Sequence, residues 1–326
     1  MSKRSSRDTI LEALRQGKTV SGQELADAAG LSRTAVWKHI RFLRREGYTI
    51  ESQAGSGYRL CSIPDGLPAR EIAAGLDESL FGHRIVSLEE TDSTQREASE
   101  LARQGCPEGA VVVAEGQTAG RGRVRRRWFS APGGLALSVV LRPEIQPSQA
   151  ALFTLLAGVS CASSIIRMTG LEPALKWPND VMLGHRKVAG ILAEMSGQPD
   201  RIDFLILGLG ININTPFEAW PEELKETATS LRQATGTMIS PVRMIQDLLG
   251  QLECDYADFN RGGLDRLLDR WRAVSSTLGR QVTVHRPDED IPGLARDIDH
   301  QGALIVETES GLLTVHAGDV SLREGS

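Results

Sequence analysis

Apolar residues recur at helical spacing in three short runs before residue 47, and the breaks between the runs fall at glycine. Residues 8–16 place Ile10, Leu11 and Leu14 on one face, and Gly17 ends that run. Residues 22–29 bring Leu25 and Ala28 inward and stop at Gly30. Ser32 stands where an N-cap belongs, so a third helix is expected to reach Glu46 with Val36, Ile40 and Leu43 at core spacing. Between the second and third helices, Ala-Gly-Leu-Ser makes a tight turn around Gly30. Short amphipathic helices joined in this way form a helix-turn-helix.

The third helix carries the chemistry of a recognition helix. Ser32, Arg33 and Thr34 lie at its N-terminal end, where a helix entering the major groove meets base edges and phosphates. Lys38, Arg41, Arg44 and Arg45 follow, suited to backbone phosphates that position rather than specify. After Gly47, two alternating stretches flank the glycine-rich 54–57 turn and predict a β-hairpin wing. Charge agrees: residues 1–62 hold eleven Lys and Arg against six Asp and Glu, and the rest of the chain holds 26 against 36. A basic head on an acidic body suits a polyanionic partner; a protein-interaction module with a solvated basic helix is the alternative. Residues 63–70, Ile-Pro-Asp-Gly-Leu-Pro-Ala-Arg, have the composition of a linker.

Beyond it the pattern becomes mixed. Strands are expected at 84–91, 109–117, 135–141, 187–195 and 202–214, with helices at 94–104, 148–168, 241–258 and 264–275. This order indicates α+β or mixed α/β architecture without specifying strand order. The apolar stretch 150–166 is interrupted by Thr154, Gly158, Ser160, Ser163 and Ser164, short of the ~18 apolar residues of a membrane span. The basic N-terminus has no apolar run behind it, and the four cysteines are scattered singly, so a cytoplasmic protein without a disulfide framework or Cys-x-x-Cys metal site is expected.

The most informative stretch is 120–128, Gly-Arg-Gly-Arg-Val-Arg-Arg-Arg-Trp. Glycines let the backbone bend toward a ligand, guanidinium groups capture phosphate or carboxylate, and Trp128 offers a face for stacking. A solvated basic loop or a nucleic-acid patch would also account for it. Neither a Walker A motif nor a dinucleotide fingerprint is present, so a nucleotide would bind by another loop, and this one is the candidate. In Lys176-Trp-Pro-Asn-Asp180, Pro178 restricts Trp177 and the preceding ammonium can be aimed at developing negative charge. Standing alone, that cluster would read as a surface lysine in a turn.

Together these pieces resemble the bifunctional biotin protein ligase and biotin operon repressor family over nearly the whole chain. The resemblance rests on Ser93-Thr94-Gln95, residues 117–123 through Trp128, Lys176 to Asp180, residues 187–194 and residues 208–212. It implies that ATP activates biotin as biotinyl-5′-AMP, with Mg²⁺ accompanying ATP, and that a lysine of a biotin carrier domain takes the biotin. Ser93, Thr94, Gln95 and Gln117 would contact biotin; Arg121, Gly122 and Arg123 would close over it; Lys176 would touch the reacting carboxylate and α-phosphate; Trp128 and Asn212 would contact adenine. Lys176, Arg121 and Arg123 would then be the catalytic set. A capping box, Thr94-x-x-Glu97, competes for the hydroxyl at the start of the helix. The chain departs from the family pattern at Gln95, often Asn, and at Arg125, usually Gly.

The tail alternates in short strands with glycine turns, indicating a small β-barrel, which the resemblance makes SH3-like. His285, His300 and His316 lack metal-ligand spacing and are expected to be structural or exposed, and no metal ligands are assigned. The expected organisation is α+β: a winged helix-turn-helix at 1–62, a linker at 63–70, a mixed α/β ligase domain at 71–275 and the small barrel at 276–326. The expected partners are the carrier domain of acetyl-CoA carboxylase, operator DNA of biotin genes and a second copy once adenylate is bound, with no membrane. A ligand-sensing regulator that binds biotin or its adenylate without transferring it is the alternative.

Overall fold

The computed structural model describes residues 5–53, 56–76, 79–123, 126–286, 289–316 and 319–322, divided between two compact units, Met1–Ala74 and Gly75–Ser326. Arg125, and Ala54 and Gly55 of the wing turn, lie outside the described residues.

In the first unit, α1 (Ser6–Arg15), α2 (Gly22–Ala29) and α3 (Arg33–Arg45) precede the antiparallel pair β1 (Thr49–Gln53) and β2 (Gly57–Ser62). Gly30 takes the left-handed conformation, φ 64°, that the tight turn requires, and the Ser32 hydroxyl accepts from the Ala35 N–H at 3.3 Å. Ile10, Leu11, Leu14, Val36, Ile40 and Leu43 are all buried. Ala26 rather than the expected Ala28 joins Leu25 inside, because α2 packs against both α1 and α3 and buries a wider face than one stripe. A fourth helix, α4 (Ala69–Ala73), begins within the stretch expected to be linker. Its buried Glu71 accepts from Arg15 at 2.9 Å and from the Tyr48 hydroxyl at 2.6 Å, which ties α4 to α1 and the start of the wing. These partners are distant in sequence, so no local signal announces the helix.

The second unit begins with β3 (Ile85–Thr91), α5 (Thr94–Arg103), β4 (Val111–Gln117), β5 (Leu135–Leu141) and α6 (Leu152–Thr169). Then come β6 (Ala174–Lys176), β7 (Asp180–Leu183), β8 (Arg186–Gln198), β9 (Arg201–Ile211), α7 (Leu231–Thr235), α8 (Pro241–Asn260) and α9 (Leu264–Ala273). The seven strands form one sheet in the order β3-β4-β5-β9-β8-β7-β6, in which only β3 and β4 run parallel, joined by α5. Every residue of β5 is buried, as expected of a central strand. The Pro147–Thr169 segment containing α6 is long and apolar enough to cross a bilayer, but 67% of that window is buried inside the protein, where α6 packs on the sheet, α8 and α9.

The tail folds as β10 (Gln281–His285), β11 (Asp290–Ile298), β12 (Leu304–Thr308), β13 (Gly311–Val315) and β14 (Asp319–Leu322). They form a five-stranded antiparallel sheet, β13-β12-β11-β10-β14, where the alternation predicts a small β-barrel. Trp177 fastens it to the seven-stranded sheet: the backbone N–H donates to Thr277 Oγ1 at 2.9 Å and the indole Nε1 donates to the Gly302 carbonyl at 3.0 Å.

Candidate active site

A cavity of about 320 Å³ opens over the seven-stranded sheet. Ser93 to Gln95 at the start of α5, Gln117 at the end of β4, the arginine loop, the β6–β7 turn and glycines of β8 and β9 line it.

At one end is a polar cluster. The Thr94 backbone N–H and hydroxyl both reach Gln117 Oε1, at 2.9 and 3.2 Å, and the same hydroxyl lies 2.9 Å from Ser138 Oγ. The Gln95 amide donates to the Ile206 carbonyl at 3.0 Å and accepts from Ser138 at 3.2 Å, so it pins α5 to the sheet. The expected capping box does not form. Ser93 is the N-cap and makes no side-chain cap, while Glu97 accepts from the Thr91 hydroxyl at 3.2 Å. Tertiary partners in β4 and β5 capture the Thr94 hydroxyl instead. Ser93 Oγ is buried without a hydrogen-bond partner, a costly state unless a ligand atom meets it.

The arginine loop folds back on itself. Trp128 N–H donates to Gly120 O at 2.9 Å, Gly122 N–H to Arg126 O at 2.8 Å, and Arg121 pairs with Arg127 in an isolated β-bridge. Trp128 then lies over Gly190 and Gly210, which face each other across β8 and β9. A Cβ at Gly210 would stand 2.4 Å from Trp128 Cε2, and one at Gly190 would stand 2.9 Å from Cζ3. Two paired glycines thus make a flat seat for the indole. The Lys187 ammonium stands 5.4 Å from the centre of that ring.

The charges on the wall are arranged unequally. Lys187 Nζ pairs with Asp180 Oδ1 at 2.5 Å, and Arg121 faces Glu194 at 3.6 Å. Lys176, half-buried at the end of β6, has no carboxylate partner among the described residues. Its ammonium therefore meets an anion entering the cavity with no carboxylate in competition, as does Arg127, whose guanidinium donates to the Thr118 carbonyl at 2.9 Å. The strand that carries it is held at Leu175, whose N–H donates to Val274 O at 2.8 Å and whose carbonyl accepts from Ser276 N–H at 2.9 Å.

The cavity thus unites Ser93, Thr94, Gln95, Gln117, Arg121, Gly122, Arg123, Trp128 and Lys176. Asn212 stands apart. It is buried just beyond β9, where its amide reaches the Lys187 carbonyl at 3.4 Å, and it does not line the cavity. The structure also adds Ser138 and Ser321, which the sequence did not mark, and it gives a place on the wall to His285 and to Lys187, Gly190 and Gly210, which the sequence named without a role at the site. His285 is exposed, as expected, and cross-strand pairing also brings it to the cavity wall. Cys106 and Cys161 are buried, and burial pushes the Cys161 thiol up to about 12, which removes it as a nucleophile. Among the described residues no group of three or more His, Cys, Asp or Glu is placed to hold a metal ion.

In the first unit Ser32, the N-cap of α3, and Arg33, Thr34, Lys38 and Arg41 on α3 are all exposed. Trp37 joins them, 46% exposed, with the Arg41 guanidinium 4.8 Å from its ring centre. Arg44, expected to meet phosphates, is instead tied to β1: its Nε donates to Ile50 O and its Nη2 to Ser52 Oγ, each at 2.8 Å.

An α5-bearing mixed sheet with a cationic loop over a polar cavity, preceded by a winged helix-turn-helix, is the architecture of an adenylate-forming acyl ligase joined to a DNA-binding unit. Residues 87–212 match the Biotin/lipoate A/B protein ligase family, residues 6–59 an HTH domain and residues 277–323 the Biotin protein ligase C terminal domain. The chain is 40% identical over 304 residues to the bifunctional ligase/repressor BirA of Bacillus spizizenii, covering 93% of this chain and 94% of that one. It is 32% identical over 316 residues to its namesake in Escherichia coli, covering 96% of each. The biotin protein ligase of Aquifex aeolicus, solved in complex with biotin and ATP, superposes with a TM-score of 0.65 at 30% identity, covering 74% of this chain and all of that one. The chain belongs to the biotin protein ligase family, in its bifunctional ligase/repressor branch.

Proposed function

We propose that this chain activates biotin with ATP, transfers it to a lysine of a biotin carrier domain such as that of acetyl-CoA carboxylase, and represses biotin genes through its N-terminal unit. The observation that carries this reading is the gathering of the polar cluster, the arginine loop, the seated indole and Lys176 around one cavity.

In the first step a biotin carboxylate oxygen attacks the α-phosphorus of ATP, and the bond from that phosphorus to the pyrophosphate oxygen breaks. Ser93 Oγ, Thr94 and Gln117 hold the polar end of biotin. Lys176 and the guanidinium groups of Arg121 and Arg123 balance the charge that grows on phosphate oxygens. Trp128 on its glycine seat offers an apolar face to adenine, whereas Asn212 acts from behind, holding the backbone of Lys187 beside that face. In the second step the acceptor amine attacks the carbonyl carbon of the mixed anhydride and AMP leaves. Mg²⁺ would accompany ATP and help to neutralise its phosphate charge beside Lys176, Arg121 and Arg123, and no protein ligand is assigned to it. The reading includes a cytoplasmic location and a homodimer formed when adenylate is bound.

Biotin-dependent exchange of label between pyrophosphate and ATP tests the first step. Exchange is expected, and Gly210→Val is expected to lower it by about tenfold or more, because the new side chain unseats Trp128 and a lost stacking contact costs on the order of 1–3 kcal/mol. Binding of biotin with no exchange would leave a sensor. For the N-terminal unit, Lys38→Ala is expected to weaken DNA binding about equally for all sequences and to reduce the salt slope by about one. An unchanged slope would remove Lys38 from the phosphate contacts.

A further inference from the structure

The part of the cavity wall supplied by the C-terminal sheet holds a set of side chains that the reaction above does not use. His285 ends β10, and its registered partner across the hairpin is Asp290 of β11. On its other side β10 pairs with β14, where Asp319 stands opposite His285 and Ser321 lies two residues further along the same face. Three adjacent strands therefore present Ser321, His285 and Asp290 as same-face neighbours. Their side chains join: Asp290 Oδ1 is 2.7 Å from His285 Nδ1, and Ser321 Oγ is 2.8 Å from His285 Nε2. His285 and Ser321 line the cavity together with Lys176 and Arg123.

The geometry fixes the direction of proton flow. A carboxylate at Nδ1 holds the proton there, so Nε2 carries the lone pair and accepts the serine hydrogen. The serine oxygen keeps lone pairs for a donor within the cavity. Elsewhere the wall is cationic, with Arg121, Arg126, Lys176 and Lys187. Such a wall favours a neutral amine over an ammonium, yet a lysine free in water has a pKa of ~10.4 and arrives protonated. Adenylation presents no such problem, because biotin's carboxylate is already ionised at neutral pH.

We propose that Ser321, His285 and Asp290 form a proton relay for the transfer step, an inference that rests on the ligase reading above. One N–H proton of the carrier lysine's ammonium passes to Ser321 Oγ while the serine's own proton passes to His285 Nε2. The freed nitrogen lone pair attacks the biotinyl carbonyl carbon. The bond from that carbon to the phosphate oxygen breaks, AMP leaves with the electron pair, and the second nitrogen proton goes to water as the amide forms. Asp290 stabilises the imidazolium, and His285, with 40% of its side chain exposed, returns its proton to solvent.

The test compares two acceptors: a carrier-domain lysine, and hydroxylamine, which is already unprotonated at neutral pH. Pyrophosphate exchange reports the first step separately. His285→Asn is expected to slow transfer to the carrier by about 10²-fold, a loss typical of a missing general base, while hydroxylamine remains a good acceptor. Asp290→Asn should share that selective loss, and Asp290→Glu should recover part of it. Equal losses on both acceptors, or no loss on either, would overturn the relay. So would a variant that stops releasing free biotin from the adenylate, which would assign the three residues to hydrolysis. If the wild type catalyses no exchange at all, the ligase reading itself has failed, and that result is distinct from failure of the relay.

Discussion

Lys176→Ala is expected to lower biotin transfer by about 10²–10³-fold, the range seen when one preorganised donor to a developing charge is removed. The size follows from the pairing on the wall. Lys187 is held by Asp180, and Arg121 faces Glu194, whereas Lys176 has no carboxylate of its own among the described residues. Its ammonium therefore meets the reacting carboxylate and phosphate without first giving up a carboxylate partner. The loss should appear in the rate constant of adenylate formation more than in biotin affinity, because the charge it balances grows toward the transition state. Lys176→Arg should recover only part, since a planar fork replaces a compact charge. Pre-steady-state measurement of adenylate formation checks both variants. A loss confined to biotin affinity would make Lys176 a binding group alone.

Trp177→Ala is expected to destabilise the second unit by about 3–5 kcal/mol, the usual range for truncating a buried aromatic side chain. Only 2% of Trp177 is exposed, and its indole bonds to Gly302 of the C-terminal domain. Trp177→Phe keeps most of the apolar bulk and loses the donor, for an expected cost of about 1 kcal/mol. Urea unfolding followed by circular dichroism measures the two costs. Because Trp177 directly follows Lys176 on the same strand end, the alanine variant should also lose activity under conditions where it remains folded. A variant of normal activity would mean that Lys176 is positioned independently of this anchor.

The parts of the molecule legible in the sequence are those whose causes are local. Gly17 and Gly30, the Ser32 cap and the spacing of Val36, Ile40 and Leu43 suffice to draw the three head helices within a residue or two. The arginine loop was visible because five guanidinium groups in seven residues suit an anionic partner, whereas Lys176 reads as a surface lysine in a turn until the family resemblance gives it a role. What stayed hidden depends on pairing between distant segments. The seat for Trp128 exists only because β8 and β9 align Gly190 with Gly210. His285 and Ser321 meet because three strands adopt one register. Asn212 sits just past the end of β9, and no residue-level signal reveals that its amide turns to Lys187 O rather than to the cavity. The same holds for α4, whose Glu71 finds Arg15 and Tyr48 only after the head has folded. At Thr94 a local rule lost outright, because Gln117 and Ser138 offer the hydroxyl better-placed partners than a cap does.

The central claim is that the cavity transfers biotin rather than merely sensing it. The most direct measurement incubates the full chain with labelled biotin, ATP, Mg²⁺ and a biotin carrier domain, and follows label on the carrier. The account predicts label attached through an amide to a single carrier lysine, dependent on ATP and resistant to denaturation. Tight binding of biotin with formation of adenylate but no label on the carrier would contradict it.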